Sequence, residues 1–572
     1  MGNLNNVFNP ASVALIGASD REGSVGRIAL TNLLQAKDRK IFPVNPGKKT
    51  LLGLECFHDI ASIRDHIDLA VIATPAREVP GLVEECGKAG IGGAVIFSAG
   101  FKEIGEEGRL LEQRVTTMRK HYGMRILGPN CLGFVRPNAG LNATFMRTSP
   151  PSGHIAFISQ SGALGSAILD WAVHKHVGFS MFASLGAMID VDFGDLIDFL
   201  GEDNDTRSIL IYMEGVGNAK KFMSAARAFA LHKPIIIIKP GRFTESAKAA
   251  RSHTGSMAGD DAIYEAAFER VGVVRVKEIS DLFNVAEILD SRKLPKGPRL
   301  AIVTAAGGPG VMAIDTLVDH GGRVAKLSDK TIEQLNEILP PFWSKGNPVD
   351  ILGDADAGRY GNAIRICLDD SEVDGVLVIY VPMDIAPPNQ VAQAVIDNAK
   401  ESWKPVIAAW MGGKKVRNAM ETLAQNNIPN YETPEEAVKA YVNMQWYKRN
   451  LELLYETPAE LPVQETLQLD MINLFKMIFG EKVRLKALIR KAIGEGRTLL
   501  NEYESKIFLA AYHIPTTMPS IAHNEKEAIT LARNLGFPVV IKIVSPDITH
   551  KTDVGGVTVG IRGDRGVVFH DG

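Results

Sequence analysis

Cysteine is scarce in this chain, and its placement excludes the usual cysteine-based architectures. The four cysteines, Cys56, Cys86, Cys131 and Cys367, form no CxxC pair and no spacing typical of a zinc site. A secreted scaffold held by disulfides, or a zinc-binding module, would need more cysteines or closely spaced pairs. We therefore predict reduced, buried thiols, a cytoplasmic protein and no cysteine-bound metal.

The chain also lacks a charge excess, a long apolar run and a leader-like N-terminus. Its 63 basic residues nearly balance 66 acidic residues, for a net charge of −3, so it has no general attraction to nucleic acid or to an anionic membrane. No run of 18 apolar residues is present, and the first residues do not combine a basic region with an apolar segment. Neither a membrane span nor a signal peptide is predicted, and we expect no nucleic-acid or membrane partner.

What the chain does have is length and a repeated alternation of short apolar runs with helical patterns. At 572 residues it is too long for a single core. The alternation is typical of parallel βαβ units in an α/β fold. In the first part of the chain, strands are predicted at 12–17, 41–44, 69–73, 94–97 and 125–127.

Strand patterns and glycine-rich turns divide the rest of the chain. A second unit opens near Gly153, and a third opens near Arg299 with a strand, a glycine-rich turn and a helix. The similar stretches KPIIIIKPG and KPVIAAWMGG indicate that these two units are related in fold. The predicted organisation is a domain over 1–147, a second over 148–295, a third over 296–453, a linker over 454–498 and a partial domain over 499–572.

One histidine is distinguished by its surroundings. His253 lies in SAKAARSHTGSMAG, shortly after PIIIIKPG, a pattern typical of a buried parallel strand that ends in a loop. Open α/β folds bind ligands at that edge of the sheet, and a histidine there can act as nucleophile, acid or base. A solvated loop histidine is the alternative, and the segment by itself leaves both open.

The turn after the first predicted strand, GASDREGSVG, is a candidate phosphate site. It carries small residues at Gly17, Ser19, Gly23, Ser24 and Gly26. Backbone N–H groups and a helix N-terminus in such a turn can hold a pyrophosphate or a 3′-phosphate. The next strand ends in VNPGKK with Lys48, where an NAD-binding fold usually has an acid. A phosphorylated ribose is therefore favoured over NAD, with a plain βα turn as the alternative.

Two more strand-to-helix turns, at Ser161–Gly162 and around Gly308, are rich in small residues and offer anion sites for the same reason. Glycines that serve only packing are the alternative. Glu214 ends the strand before PIIIIKPG. If those strands are neighbours, its carboxylate could reach His253 and fix the imidazole tautomer; otherwise it is a solvated acid.

Near the end of the chain, Lys542 lies inside the apolar run VVIKI. A lysine there is costly unless its ammonium meets an anion or extends to solvent. His550 follows in SPDITHKTDVGGV, a second polar loop bounded by glycine.

In combination, these motifs resemble the nucleoside-diphosphate-forming acyl-CoA synthetases, and specifically ADP-forming acetate–CoA ligases, relatives of succinyl-CoA synthetase. The motifs IGAS…GSVG, VNP, GPNCLG, SQSGALG, SHTGSMAG, NPVD and SPDITHKTDVGGV occur in the family's order. The resemblance implies a Rossmann-like CoA-binding domain, two flavodoxin-like domains of the succinyl-CoA synthetase type and part of an ATP-grasp module.

The resemblance also implies residue roles. His253 matches the histidine that takes phosphate from an acyl phosphate, and Glu214 matches the carboxylate that holds it. His550 matches a second histidine that passes phosphate toward ADP, and Lys542 matches a lysine for the nucleotide phosphates. Less specifically, the Gly17–Gly26 turn, Lys48 and Asn130 of GPNCLG match the CoA-binding region.

The implied reaction is acetyl-CoA + ADP + phosphate ⇌ acetate + ATP + CoA, with a carboxylic acid, phosphate, CoA and ATP or ADP as small-molecule partners. An ATP-grasp module in this family is much longer than 499–572, so we expect an incomplete site for ATP and Mg²⁺, no metal ligands in this chain, and a separate ATP-grasp subunit or a homo-oligomer. A CoA-binding regulatory protein or inactive remnant is the alternative. An NAD(P)-dependent oxidoreductase is a third hypothesis.

Overall fold

The computed structural model describes residues 4–36, 38–175, 177–246, 260–455, 485–512, 514–545, 548 and 551–567. The chain divides into two compact units, Met1–Thr457 and Pro458–Gly572. The predicted positions His253 and His550 lie outside the described residues, so their roles stay predictions.

The first unit begins with a parallel five-stranded sheet, as the sequence predicts. Its chain runs through β1 (Ser12–Ile16), β2 (Lys40–Val44), the small hairpin β3 (Thr50–Leu51) and β4 (Leu54–Glu55), then β5 (Leu69–Ile72), β6 (Gly93–Ile96) and β7 (Arg125–Leu127). The sheet order is β2-β1-β5-β6-β7. The helices are α1 (Asn5–Phe8), α2 (Val25–Leu33), α3 (Val79–Lys88) and α4 (Glu106–Tyr122), with short 3-10 helices at Ile60–Ser62 and Lys102–Ile104.

A seven-stranded sheet follows. Its strands are β8 (Gly133–Arg136), β9 (Leu141–Thr144), β10 (Ser152–Ser159), β11 (Phe179–Ser184), β12 (Ser208–Tyr212), β13 (Ile235–Ile238) and β14 (Val274–Val276), in the order β14-β13-β12-β10-β11-β8-β9. Its helices are α5 (Gly162–His174), α6 (Phe193–Glu202), α7 (Ala219–Phe229), α8 (Asp261–Arg270) and α9 (Ile279–Asp290), with a 3-10 helix at Pro137–Ala139.

The antiparallel strands β8 and β9 are a feature that the sequence analysis did not identify. The predicted boundary at residue 147 places them with the first domain, but they hydrogen-bond to each other and β8 pairs with β11 of the second sheet. The first sheet therefore ends at Leu127, and the chain enters the second sheet before the predicted boundary.

The third sheet is again parallel. Its strands are β15 (Arg299–Thr304), β16 (Arg323–Val324), β17 (Val349–Asp350), β18 (Gly375–Tyr380), β19 (Val406–Trp410) and β20 (Asn430–Tyr431). The order is β16-β15-β18-β19-β20, with β17 also paired to β15. The helices are α10 (Gly307–Asp319), α11 (Asp329–Ile338), α12 (Ala357–Asp369), α13 (Pro388–Glu401), α14 (Gly413–Gln425) and α15 (Pro434–Tyr455).

These sheets form because their strands are apolar on both faces. All four residues of β13 are isoleucines and all are buried, as expected of a parallel strand covered by helices on both sides. One continuous apolar cluster contains Leu15, Ile209 and Ile302, one residue from each sheet. The four cysteines are free and buried, as the sequence predicts.

The second unit has a helical stretch over 485–494, then α16 (Glu502–Ala511), α17 (Glu525–Leu535), β21 (Val539–Lys542), β22 (Val557–Ile561) and a 3-10 helix at Asp564–Gly566. The strands β21 and β22 are antiparallel. A small apolar cluster that includes Ala528, Ala532 and Ile561 supports this unit. The α/β architecture predicted from the sequence is thus confirmed.

Candidate functional site

The carboxyl edge of the second sheet brings three predicted features onto neighbouring strands. β10 leads into Ser161 and Gly162, β12 leads into Glu214, and β13 leads into the segment that carries His253. β12 pairs with β10 on one side and with β13 on the other, all in parallel. The sequence analysis made the contact between Glu214 and His253 conditional on neighbouring strands, and that condition is met.

Gln160 connects two of these loops, and the sequence analysis did not identify it. Its side-chain Oε1 accepts hydrogen bonds from the backbone N–H groups of Glu214, at 2.8 Å, and Gly215, at 3.0 Å. Its own N–H donates to the carbonyl of Tyr212 at 3.1 Å. The backbone of Glu214 is therefore fixed by the turn that begins α5. The only signal in the sequence was the place of Gln160 inside SQSG.

The negative charge of Glu214 acts on its surroundings. Burial raises the pKa of Tyr212, and the Glu214 carboxylate raises it further. A carboxylate in this position disfavours a second negative charge nearby and favours a cation. An imidazolium or a phosphorylated imidazole ring is the kind of group that it can stabilise.

The turn at the start of α5 is formed by serine hydroxyls. Ser161 is the N-cap, and its side chain accepts from the N–H of Leu164 at 3.4 Å. The hydroxyl of Ser159 donates to the carbonyl of Ser161 at 2.6 Å. A side chain on Gly162 would come within 3.2 Å of Leu132, so this glycine allows the GPNCLG loop to approach. The positive end of the α5 dipole is therefore at the same sheet edge as Glu214.

Asn130 lies in that approaching loop. It has a positive φ of 57°, a conformation that asparagine adopts more readily than most residues. Its N–H donates to the carbonyl of Ser98 at 2.9 Å. A side chain on Gly186 would come within 2.4 Å of the Asn130 carbonyl. Asn130 thus joins the edge of the first sheet to the second domain, close to Gly162.

The glycines of the Gly17–Gly26 turn differ in how closely other atoms pack around them. A side chain on Gly17 would meet the carbonyl of Ala73 at 2.7 Å, and one on Gly26 would meet the carbonyl of Gly17 at 2.1 Å. Gly23, with φ of 75°, has open space around it. Packing therefore explains Gly17 and Gly26, whereas Gly23 has open space for a ligand beside it.

The two serines of this turn have defined hydrogen bonds. Ser19 accepts from the N–H of Arg21 at 3.1 Å. Ser24 is the N-cap of α2, where its hydroxyl accepts from Arg27 at 3.3 Å and donates to the carbonyl of Arg21 at 2.7 Å. The turn is therefore held by hydrogen bonds of its own side chains.

Lys48 lies beside this turn, as predicted, but its charge is paired. Its Nζ contacts Asp20 Oδ2 at 2.8 Å, and this hydrogen bond lowers the pKa of Asp20. Both side chains are about half exposed, so the pair is weak and Lys48 can exchange to another anion. Asn45, of the VNP motif, donates to the carbonyl of Ala18 at 2.7 Å and holds the two loops together.

Gly308 lies in the first turn of α10, on the third sheet. The N-cap, Ala306, provides no side-chain hydrogen bond, and a side chain on Gly308 would meet nothing within 4 Å. Uncapped N–H groups next to open space are what an anion requires at a helix start. The close contacts of this turn in the structure are with its own domain, such as Asp350 next to Gly307.

Lys542 belongs to a cluster around Glu502 in the second unit. Glu502 contacts Lys542 at 2.8 Å, Lys551 at 2.6 Å and Lys506 at 3.0 Å. Hydrogen bonds from Lys542 and Lys551 lower the pKa of Glu502 to about 2. Lys542 therefore has an anionic partner and also reaches solvent, since its side chain is 41% exposed, and three lysines around one carboxylate leave an excess of positive charge.

Two kinds of feature are absent from the described part of the chain. No helix there is long and apolar enough to cross a membrane. No group of three or more His, Cys, Asp and Glu side chains within the same residues could hold a metal ion. The expectation about Mg²⁺ therefore stays a prediction.

Comparison with known proteins agrees with this geometry. Family models match a CoA binding domain over 11–137, a succinyl-CoA ligase like flavodoxin domain over 152–289, a ligase-CoA domain over 300–453 and an ATP-grasp domain over 491–569. The predicted fold class, including the ATP-grasp segment, is thereby confirmed.

Individual relatives span most of the chain. An ADP-forming acetate–CoA ligase I of Archaeoglobus fulgidus is 39% identical over 98% of this chain and 78% of its own length. The alpha subunit of an ADP-forming acetate–CoA ligase I of Pyrococcus furiosus is 42% identical over 76% of this chain and 96% of its own. A solved acetyl-coenzyme A synthetase 1 of Ca. Korarchaeum cryptofilum, in complex with phosphate and ADP, is 38% identical, with a TM-score of 0.73 over 81% of this chain and all of that one. This chain therefore belongs to the family of ADP-forming acetate–CoA ligases, and the resemblance seen in its motifs is confirmed.

Proposed function

We propose that this chain catalyses the reversible reaction acyl-CoA + ADP + phosphate ⇌ acid + CoA + ATP, with acetate as the acid, in the cytoplasm. One observation carries the proposal. The order β13-β12-β10 brings the His253 segment, Glu214 and the start of α5 to one edge of a parallel sheet, the edge at which such folds bind ligands.

The chemistry proceeds in four transfers. An oxygen of phosphate bonds to the thioester carbonyl carbon while the C–S bond breaks, and the released CoA thiolate takes up a proton. A nitrogen of His253 then bonds to phosphorus while the P–O bond to the acyl group breaks, which releases the carboxylate. A nitrogen of His550 next bonds to phosphorus while the N–P bond to His253 breaks. Finally an oxygen of the β-phosphate of ADP bonds to phosphorus while the N–P bond to His550 breaks, which gives ATP.

The described residues contribute electrostatics and position to the second transfer. The start of α5, at Ser161 and Gly162, offers N–H groups and a positive dipole end to the phosphoryl oxygens. Glu214 offers a negative charge to the imidazole ring, which becomes cationic as the N–P bond forms. Gln160 keeps these two elements at a fixed separation because it bonds to the backbone of Glu214 and Gly215.

The first domain would bind CoA. The start of α2 and the accessible backbone at Gly23 suit a phosphate group. Lys48 could exchange its exposed partner Asp20 for that phosphate.

The second unit would serve the nucleotide. Lys542 and Lys551, both held by Glu502, suit the phosphates of ADP, and His550 would take the phosphoryl group from His253. We assign no step to a metal ion.

Phosphoprotein labelling tests the proposal. Incubation with acetyl-CoA and radioactive phosphate should give an acid-labile, base-stable label on the wild-type chain. His253→Ala should abolish the label, and the matched control His232→Ala, which changes an exposed histidine of the same domain, should retain it. Equal labelling of His253→Ala would contradict the assignment. CoA binding by calorimetry without any label on the wild type would favour a CoA-binding regulatory protein instead.

A separate ATP-grasp subunit, or a homo-oligomer, is also part of the proposal. It is supported by the alpha-subunit relative, which matches 76% of this chain and nearly all of its own length. Light scattering of the purified chain measures its oligomeric state. ATP formation with acetyl-CoA, measured with and without an added ATP-grasp subunit, tests whether a partner is needed, and the same assay with propionyl and aryl thioesters tests the choice of acid.

A further inference from the structure

Arg275 bonds to residues that precede and follow the segment that carries His253. It lies in β14, opposite Ile237 of β13, and its side chain is only 6% exposed. The chain leaves β13 at Lys239, and residues 240–260 separate this point from Asp261, the first residue of α8.

One guanidinium bonds to both ends. Its Nη2 contacts Asp261 Oδ1 at 2.6 Å and its Nη1 contacts Asp261 Oδ2 at 3.0 Å, a two-pronged arrangement. Nη2 also donates to the carbonyl of Lys239 at 3.3 Å, and Nη1 donates to Glu265 at 2.8 Å. Only a planar fork with several N–H donors can make this set of bonds.

The charges around Arg275 indicate a positioning role and not a binding role. Burial lowers the pKa of Arg275, but the hydrogen bonds with Asp261 and Glu265 more than reverse this and raise it. Lys239, 4% exposed, is the other cation, and it lies 4.2 Å from the centre of the Tyr264 ring. The carboxylates of Asp261 and Glu265 balance the positive charges of Arg275 and Lys239. This group of four side chains therefore has no spare positive charge for a phosphate.

We propose that Arg275 is a positioning residue for phosphoryl transfer, because it fixes the departure and the return of the His253 segment relative to the sheet edge. This inference rests on the proposed function. A misplacement of about 1 Å can cost roughly 100-fold in rate, so loss of this anchor should slow the formation of phosphohistidine and leave the binding of CoA unchanged.

The test compares Arg275→Gln and Arg275→Lys with the matched control Arg207→Gln, which removes an exposed arginine paired with Asp290 in the same domain. We expect about a 100-fold lower initial labelling rate with acetyl-CoA and radioactive phosphate for Arg275→Gln, a partial loss for Arg275→Lys, and wild-type rates for the control. The calorimetric Kd for CoA should not change in any of them.

Limited trypsin digestion tests directly whether Arg275 holds the segment in place, without relying on activity. Cleavage after Lys248 or Arg251, which lie within the segment, should be faster in Arg275→Gln than in the wild type. If Arg275→Gln does not fold, Asp261→Asn weakens the same contact and should show both effects at smaller size. A folded variant that labels and is cleaved at wild-type rates overturns the inference. If the wild type is not labelled, the proposed function is refuted instead. The digestion result still tests whether Arg275 holds the His253 segment in place.

Discussion

Two carboxylates in this chain each hold several cations, but in very different surroundings. Asp190 contacts Arg119 at 2.8 Å and Arg125 at 2.9 Å and also accepts from the N–H of Ile126 at 2.9 Å. Its side chain is 8% exposed. Glu502 forms its ion pairs with lysines among the described residues, and its side chain is 26% exposed. The first is a buried arginine cluster and the second is a partly open lysine cluster.

The difference indicates that the buried cluster supports the fold and that the lysine cluster is available to a ligand. Buried ion pairs are costly to break, because the remaining charge loses its partner and has no water. Asp190 joins α4 and β7 of the first domain to the loop after β11, so it fixes one domain on the next. Glu502 holds Lys506 and Lys551, which are 19% and 15% exposed, and Lys542, which is 41% exposed. An open lysine such as Lys542 can leave its carboxylate for a phosphate at low cost.

The largest expected effect is that of Asp190→Ala. Removal of this buried carboxylate takes an ion-pair partner from both Arg119 and Arg125. It should lower the free energy of unfolding by about 3–5 kcal/mol. Denaturant unfolding measures the loss. The matched control Asp65→Ala breaks the exposed pair with Lys40 and should cost less than about 1 kcal/mol. Equal losses for the two variants would remove the distinction between buried and open clusters.

Glu502→Gln should have a smaller effect on stability, about 1 kcal/mol, because Glu502 and Lys542 are 26% and 41% exposed and water can replace their ion pair. Unfolding followed by a probe in the second unit would show this. Asp564→Asn, which breaks a single exposed pair with Arg533, is the control and should cost less. A loss as large as that of Asp190→Ala would mean that the lysine cluster is structural.

The lysine cluster should also respond to pH. Its partners lower the pKa of Glu502 from 4.5 to about 2, so the unfolded chain takes up the proton first as pH falls. The stability contributed by Glu502 is therefore complete above about pH 4.5 and is lost as pH falls toward 2. The difference in unfolding midpoint between wild type and Glu502→Gln should shrink between pH 6 and pH 3. A constant difference over that range would contradict the assignment.

Salt should give the smallest effect. Because the screening length shortens from about 10 Å at 0.1 M to about 3 Å at 1 M salt, the penalty of Glu502→Gln should decrease by a few tenths of a kcal/mol. The penalty of Asp190→Ala should hardly change, since a buried pair is poorly screened. Denaturant titrations in urea at the two salt concentrations compare them.

Much of the sheet edge could be predicted from the sequence because it depends on local patterns. The isoleucines of β13 indicate a strand buried on both faces, and the parallel direction of β10, β12 and β13 follows from the βαβ alternation, although the sequence left open which of these strands are neighbours. For Lys542 the sequence left an anionic partner and solvent open, and the structure gives it both: it pairs with Glu502 and its side chain is 41% exposed. The identity of that partner, Glu502, could not be predicted because it lies 40 residues earlier in the chain.

Other features depend on contacts that no local pattern encodes. Gln160 matters because two successive N–H groups of one neighbouring loop, those of Glu214 and Gly215, donate to its side chain. Asp20 neutralises Lys48 across a turn, which a motif comparison does not reveal. The roles of His253 and His550 stay predictions, since both lie outside the described residues.

The passage of β8 and β9 into the second sheet has a practical consequence for dividing the gene. A fragment that ends at residue 147 would carry both strands away from β11, the strand that β8 pairs with. It would expose a strand edge on each piece, and such edges promote aggregation. A cut between β7 and β8, within 128–132, would leave each sheet with all of its own strands.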